Sequence, residues 1–188
     1  MTSKRIFDFL LSILLIILFS GIFLMISIIV SLTSEGPILY WSDRVGKDGN
    51  IYRMPKFRTM IINTPEVATD LLNNPKNYLT PVGKFLRETS LDELPQLFSI
   101  LIGQMSFVGP RPALFNQCNL ISKRKQEGID QLLPGITGWA QINGRDTISD
   151  KDKLRFDKYY LDNMSFLFDL KILILTFFSV IKKDGITH

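Results

Sequence analysis

Arg87-Glu88-Thr89-Ser90-Leu91-Asp92-Glu93-Leu94-Pro95-Gln96-Leu97, running on to Gly109-Pro110-Arg111-Pro112, is the stretch from which the rest of the chain is read. Leu91, Leu94, Leu97, Phe98, Leu101, Ile102 and Met105 recur at helical spacing, which predicts a helix with one face buried in core or at a membrane boundary. Two caps compete for its start. Ser90 with Glu93 makes a capping box but leaves Pro95 in the second turn, where it costs a hydrogen bond. Asp92 as cap puts Pro95 safely in the first turn. With either cap, Asp92 and Glu93 sit at the positive end of the helix dipole. An acidic pair there is ordinarily dipole complementation and nothing more. Here Arg87 and Arg111 flank it, and Lys56, Arg58 and Arg145 are further candidate cations.

Composition removes many chemistries. The 188 residues suit one domain plus a short appendage, and they contain one cysteine, Cys118, and one histidine, His188. That excludes an internal disulfide, a Cys/His zinc site and a histidine-activated nucleophile. Any metal site must use oxygen ligands, which points to Mg²⁺ or a similar hard cation. The formal charge of +4 fits anionic lipid or anionic substrates. No Lys/Arg run with interleaved aromatics supports a nucleic-acid partner. Carboxylates among arginines, without histidine, suit metal-assisted phosphoryl transfer.

Toward the N-terminus, no residue of the 26 from Phe9 to Ser34 is charged. As one helix they would extend about 39 Å, against a hydrocarbon core of about 30 Å. Lys4 and Arg5 precede the run as a positive-inside signal. Three readings compete: a single transmembrane helix, a signal peptide that lacks an evident cleavage site, and a re-entrant hairpin bent at Ser20-Gly21. A plain span would put the carboxylate region on the side opposite Lys4-Arg5.

The remaining expectations are local. Gly36-Pro37 ends the helix, and Ile38 to Trp41 and Ile51 to Phe57 read as strands joined through Gly46-Lys47-Asp48-Gly49-Asn50. Lys56 and Arg58 would share one strand face, which alone reads as a solvated basic edge. Asn63 to Tyr78 is loop with a short helix. Thr80-Pro81 predicts a helix from Pro81 to Glu88. The glycines of Pro134-Gly135-Ile136-Thr137-Gly138-Trp139-Ala140-Gln141-Ile142-Asn143-Gly144-Arg145 allow close approach of backbone to a ligand, a structural loop being the default. Asp150 to Asn163 reads as a mixed-charge helix. Phe166 to Ile181, apolar but for Asp169 and Lys171, suits an interfacial helix or a core helix.

Together these motifs resemble the bacterial sugar transferase family, and more closely its small monotopic phosphoglycosyltransferases. The resemblance rests on Phe85 to Leu97, Met105 to Pro112 and Pro134 to Arg145. Lys4-Arg5 with Asp8, Gly36-Pro37, Arg44 with Gly46, and Lys56-Phe57-Arg58-Thr59-Met60 extend it over nearly the whole chain. It implies transfer of a phospho-sugar from a UDP-sugar to polyprenol (undecaprenyl) phosphate with release of UMP, the first membrane step of glycoconjugate assembly. Asp92 would be the nucleophile of a phosphosugar-aspartyl intermediate and Glu93 its partner, both close to Mg²⁺. Lys56, Arg58, Arg87, Arg111, Asn143 and Arg145 are the candidate substrate contacts.

The implied fold is α+β and mainly helical. It has a re-entrant membrane helix over residues 1–35, with its kink at Ser20 and Gly21. A cytoplasmic catalytic domain follows over 36–188, with a short β-hairpin and interfacial amphipathic helices. That makes a monotopic protein of the bacterial inner membrane, in contact with its lipids. Downstream glycosyltransferases and a second copy of the chain are the protein partners considered. The sequence departs from the family at Gly21, where proline is usual, and at Ser42, Ser99, Ile102 and Gln104. The alternative reading is a non-catalytic basic membrane-anchored scaffold.

Overall fold

The computed structural model describes residues 3–65, 72, 74–144 and 148–182. Within them the chain is α+β and mainly helical, with two small sheets. Helix α1 (Ser3–Leu18) and helix α2 (Ser20–Thr33) are bent by 61° at Phe19. The bend needs one residue: Phe19 has ψ 8°, far from the helical value of about −42°. It falls one residue before the Ser20-Gly21 pair, which begins α2. No single helix among the described residues is long and apolar enough to cross a membrane.

Strands β1 (Leu39–Val45) and β2 (Ile51–Phe57) form an antiparallel hairpin in which Arg44 faces Tyr52 and Tyr40 faces Lys56. β1 runs past the expected Trp41 because β2 pairs with it through Val45, and β4 (Ala113–Leu114) pairs on its other edge at Arg44 and Val45. A second sheet pairs β3 (Ser106–Val108) in parallel with β5 (Gly135–Thr137).

Helix α3 (Gly83–Glu88) starts two residues later than Thr80-Pro81 predicts, and the Thr80 hydroxyl caps nothing. Neither expected cap opens the next helix. Ser90 takes a left-handed φ of 56°, Leu91–Glu93 forms a 3-10 turn, and helix α4 (Gln96–Ile102) begins only after Pro95. Hydrogen bonds of the tighter i to i−3 type, such as Leu94 N to Leu91 O and Phe98 N to Pro95 O, carry the chain past a residue that lacks an N–H. The acidic pair therefore lies in a turn ahead of the α-helix rather than in its first turn. The apolar periodicity through Met105 overstates the helix, which stops at Gly103 (φ 90°).

Helix α5 (Cys118–Gln126), the short α6 (Trp139–Ile142), α7 (Asp150–Asn163) and α8 (Phe166–Lys182) complete the chain. α7 has its expected bounds, and Ser149 caps it by accepting from Asp152 N. The core joins Tyr52, Leu97, Ile100, Phe107, Tyr160 and Ile172, and Leu11, Leu15 and Phe23 of the bent helix pair pack against it.

Three charges near the N-terminus are tied to the folded core. Arg5 donates to the carbonyls of Ile100 (2.5 Å) and Leu101 (2.7 Å), closing the exposed C-terminus of α4. Asp8 accepts from Phe107 N at 3.3 Å. Lys4 pairs with Asp169 at 2.6 Å, and the Tyr160 hydroxyl donates to the same carboxylate. Asp169 thus faces inward, and α8 has two faces: Ile172 is fully buried, whereas Leu167, Ile174, Phe177 and Phe178 are exposed.

Two glycines of the 134–145 loop, Gly135 and Gly138, closely approach backbone. A Cβ at Gly135 would meet Gly109 N, and one at Gly138 would meet Gly109 O, each closer than 3.0 Å. These glycines let β5 and α6 close over the Gly109-Pro110 turn.

Candidate active site

Asp92 and Glu93 leave one 3-10 turn, but they meet different surroundings. Glu93 Oε1 accepts from Lys56 Nζ at 2.7 Å, and Arg111 Nη2 stands 3.7 Å from the same oxygen. Burial alone would raise the Glu93 pKa. Lys56, Arg111 and Arg44 outweigh it and hold the carboxyl well below its usual range, so Glu93 is a fixed anion. Neither of those ion pairs goes to Asp92. Its side chain is 8% exposed, and burial pushes its pKa up to about 6, Glu93 adding to the rise while Lys56, Arg87 and Arg111 oppose it. Two adjacent carboxylates are thereby driven apart, one permanently charged and one titrating close to neutrality. Such separation is a frequent mark of a functional pair.

The elements explain the meeting. β2 alternates, so Tyr52, Met54 and Lys56 share the face turned toward the 3-10 turn. Arg111 arrives from the turn after β3, and Arg87 from the last turn of α3. Lys56, Arg87 and Arg111 therefore converge on the acidic pair as the sequence suggested. Three other candidates are placed elsewhere or not described. Arg58 follows the end of β2, and its guanidinium donates to Ser34 O and Oγ (2.9 Å each) and to Glu35 O, capping α2. Asn143 donates to Trp139 O at 2.7 Å and closes the end of α6. Arg145 lies outside the described residues.

One cation was not among the candidates. Arg44 lies close enough to Arg111 and Glu93 to feel both charges, and burial, then Arg111, lowers its pKa to about 10. Its Nε donates to Ser42 Oγ (3.0 Å) and its Nη1 to Pro112 O (3.1 Å). Ser42 thus holds a half-buried guanidinium. Strand alternation carried the signal, since Ser42 and Arg44 must share a face. The sequence pattern predicts the strand only as far as Trp41.

Among the described residues no three His, Cys, Asp or Glu side chains converge. A divalent ion here would rest on Asp92 and Glu93 and on oxygens of a bound phosphate, which is how Mg²⁺ is commonly held. The donor set, all hard oxygen, fits that ion.

Residues 1–183 match the family described as bacterial sugar transferase. An uncharacterized sugar transferase, EpsL, of Bacillus subtilis is 41% identical over 186 residues, covering 99% of this chain and 91% of that protein. The undecaprenyl-phosphate galactose phosphotransferase of Salmonella typhimurium is 37% identical over 203 residues, 97% of this chain and 41% of that protein. The UDP-glucose:undecaprenyl-phosphate glucose-1-phosphate transferase of Klebsiella pneumoniae is 42% identical over 187 residues, 95% of this chain and 40% of that protein. The chain thus spans about two fifths of the two named transferases but most of the Bacillus protein.

Proposed function

This chain belongs to the bacterial sugar transferase family, and on that premise we propose that it moves a sugar-phosphate from a UDP-sugar to polyprenol (undecaprenyl) phosphate, releasing UMP. The observation that carries the site assignment is the split acidic pair: Asp92 buried and outside the ion pairs, Glu93 locked as an anion by Lys56 and Arg111. A carboxylate oxygen of Asp92 bonds to the phosphorus bearing the sugar, the bond from that phosphorus to the oxygen shared with UMP breaks, and UMP departs with the electron pair. An oxygen of the polyprenol phosphate then bonds to the same phosphorus, and the pair from the broken bond returns to Asp92. One carboxylate so serves a soluble and a lipid substrate in turn.

The barrier is repulsion. A pair of like charges at about 4 Å costs roughly 4 kcal/mol at an effective dielectric near 20. Lys56, Arg87, Arg111 and Arg44 supply the opposing charge from this chain. Mg²⁺ held at Asp92 and Glu93 would neutralise diphosphate charge as well. UDP-glucose and UDP-galactose, the sugars that the relatives' names suggest, are the first donors to test. UMP release that requires both a UDP-sugar and polyprenol phosphate is the expected result; no release with any UDP-sugar would overturn the reading.

The titration of Asp92 gives a second expectation. Only the carboxylate attacks, so transfer should fall about tenfold per pH unit once the pH drops below about 6, the value to which burial raises Asp92. Lys56 is the largest influence lowering that pKa, so Lys56→Met should move the acidic limb to higher pH. A limb near pH 4 in both proteins would show that Asp92 is not the titrating group.

The bent helix pair is proposed to enter the cytoplasmic leaflet of the inner membrane and return, its exposed Leu10, Leu14, Leu24 and Ile28 facing lipid. On the catalytic part, exposed Phe98, Ile102, Phe177 and Phe178 would meet the same leaflet. In a Cys118→Ser background, which removes the exposed native thiol, single cysteines at Ser3 and Glu35 should be labelled from the same, cytoplasmic side. Labelling from opposite sides would make the pair a span.

A further inference from the structure

Arg111 projects from a turn whose three consecutive carbonyls are each held by a different element. Gly135 N donates to Pro110 O at 2.9 Å, Arg124 Nη1 to Arg111 O at 2.9 Å, and Arg44 Nη1 to Pro112 O at 3.1 Å. Proline at 110 and 112 fixes φ on both sides. The Arg111 side chain is itself 42% exposed, yet its guanidinium must stay near Glu93. A long, half-solvated side chain keeps its aim only when its root is fixed.

Arg124 is oriented from α7. Its Nε and Nη2 donate to one oxygen of Asp157, at 3.0 and 2.6 Å, which leaves Nη1 for the Arg111 carbonyl. Arg124 is 9% exposed and Asp157 2%. Burial works against the Asp157 charge and Arg124 works for it. A buried ion pair of this kind is a poor source of stability, since apolar side chains of equal volume commonly do as well. What an apolar pair cannot supply is a third donor of fixed direction, and the planar guanidinium fork supplies one.

We propose that Asp157 and Arg124 are a positioning pair for the reaction: they fix the Gly109–Pro112 turn so that the Arg111 guanidinium reaches Glu93 and the donor's diphosphate. This rests on the reading of Asp92–Glu93 as the transfer site. Neither residue touches substrate. Loss of the pair lets the root of Arg111 move, and a displacement of about 1 Å can cost on the order of 100-fold in rate.

The test is a double-mutant cycle on the full chain in detergent or lipid, with transfer from UDP-glucose or UDP-galactose as readout. Asp157→Asn should lower transfer about tenfold or more in the otherwise unchanged protein, and less than about twofold when Arg111 is already alanine, because neighbours that act through one contact do not add. The KM for the UDP-sugar should also rise in Asp157→Asn, since the Arg111 guanidinium is assigned to the donor's diphosphate. Equal losses in both backgrounds, or an unmoved KM, would overturn the positioning role. Arg124→Lys, which keeps the charge but loses the fork, takes the place of Asp157→Asn in the same cycle if that variant does not fold.

Hydrogen exchange needs no turnover. Amides of 106–114 should exchange faster in the variant while those of β1 and β2 stay as protected as before; unchanged protection of 106–114 would overturn the clamp itself. A wild-type chain with no transferase activity would instead sink the functional reading and leave the exchange result to judge the clamp.

Discussion

Asp92→Asn should abolish transfer while leaving the fold intact, the largest effect expected of any substitution outside the core. The change is nearly isosteric and removes the one oxygen anion that can bond to phosphorus. Loss of a nucleophile costs on the order of 10⁶-fold where it acts with a catalytic group; here, with the cations left in place, about 10⁴-fold or more is expected. Stability should not fall, because burial already disfavours the Asp92 charge. Two measurements check this. UMP release should drop to background, and intact mass after incubation with donor alone should show a sugar-phosphate adduct on the parent chain and none on the variant. Activity within tenfold of the parent would rule out the covalent route. Glu93→Gln should behave differently: it leaves Lys56 and Arg111 without their half-buried anion, so both rate and melting temperature should fall.

Gly138→Ala should cost stability and activity together, through a mechanism unrelated to chemistry. Gly138 has an extended φ of −175°, so backbone strain is not the cause. Its added methyl would overlap the Gly109 carbonyl oxygen, and it would come to 2.7 Å from Gln141 Oε1. Side chains can step aside, but Gly109 O cannot: Gly109 N already donates to Thr137 O at 2.9 Å, and Gly135 N to Pro110 O at 2.9 Å. Overpacking against such backbone costs about 3 kcal/mol. The turn that must move to admit the methyl is the one that bears Arg111. Thermal unfolding and UMP release measured on the same preparation should both report the loss. Gly21→Ala is the control, since nothing lies within 4 Å of the added Cβ, and it should change neither. A Gly138→Ala protein as stable as its parent would show that β5 and α6 do not sit this closely over β3.

Some of the site could be read directly. The acidic pair, Arg87, Arg111 and Lys56 were identified because each lies in a short ordered motif, and the structure brings them together. α7 was placed to the residue, because caps and charge periodicity are local. Arg58 was not separable from Lys56 by alternation, since both lie on one face of an extended chain; only the position of α2 decides that one guanidinium caps a helix while the other amine meets Glu93. The start of the helix at residue 91 was misjudged because both capping rules assume an α-helical first turn. Pro95, lacking an N–H, favours tighter turns instead.

The sequence by itself determined α7, the two hairpin strands, the uncharged N-terminal run and the pair of carboxylates, because periodicity, proline, glycine and charge act over a few residues. The tertiary structure decided how charges are matched across long separations: Lys56 with Glu93, 37 residues apart, Arg124 with Asp157, 33 apart, and Lys4 with Asp169, 165 apart. It also decided that Asp92 titrates near neutrality and Glu93 does not. That difference has no sequence signal: burial works against the charge of both carboxylates, and only Glu93 accepts the hydrogen bond from Lys56 and pairs with Arg111.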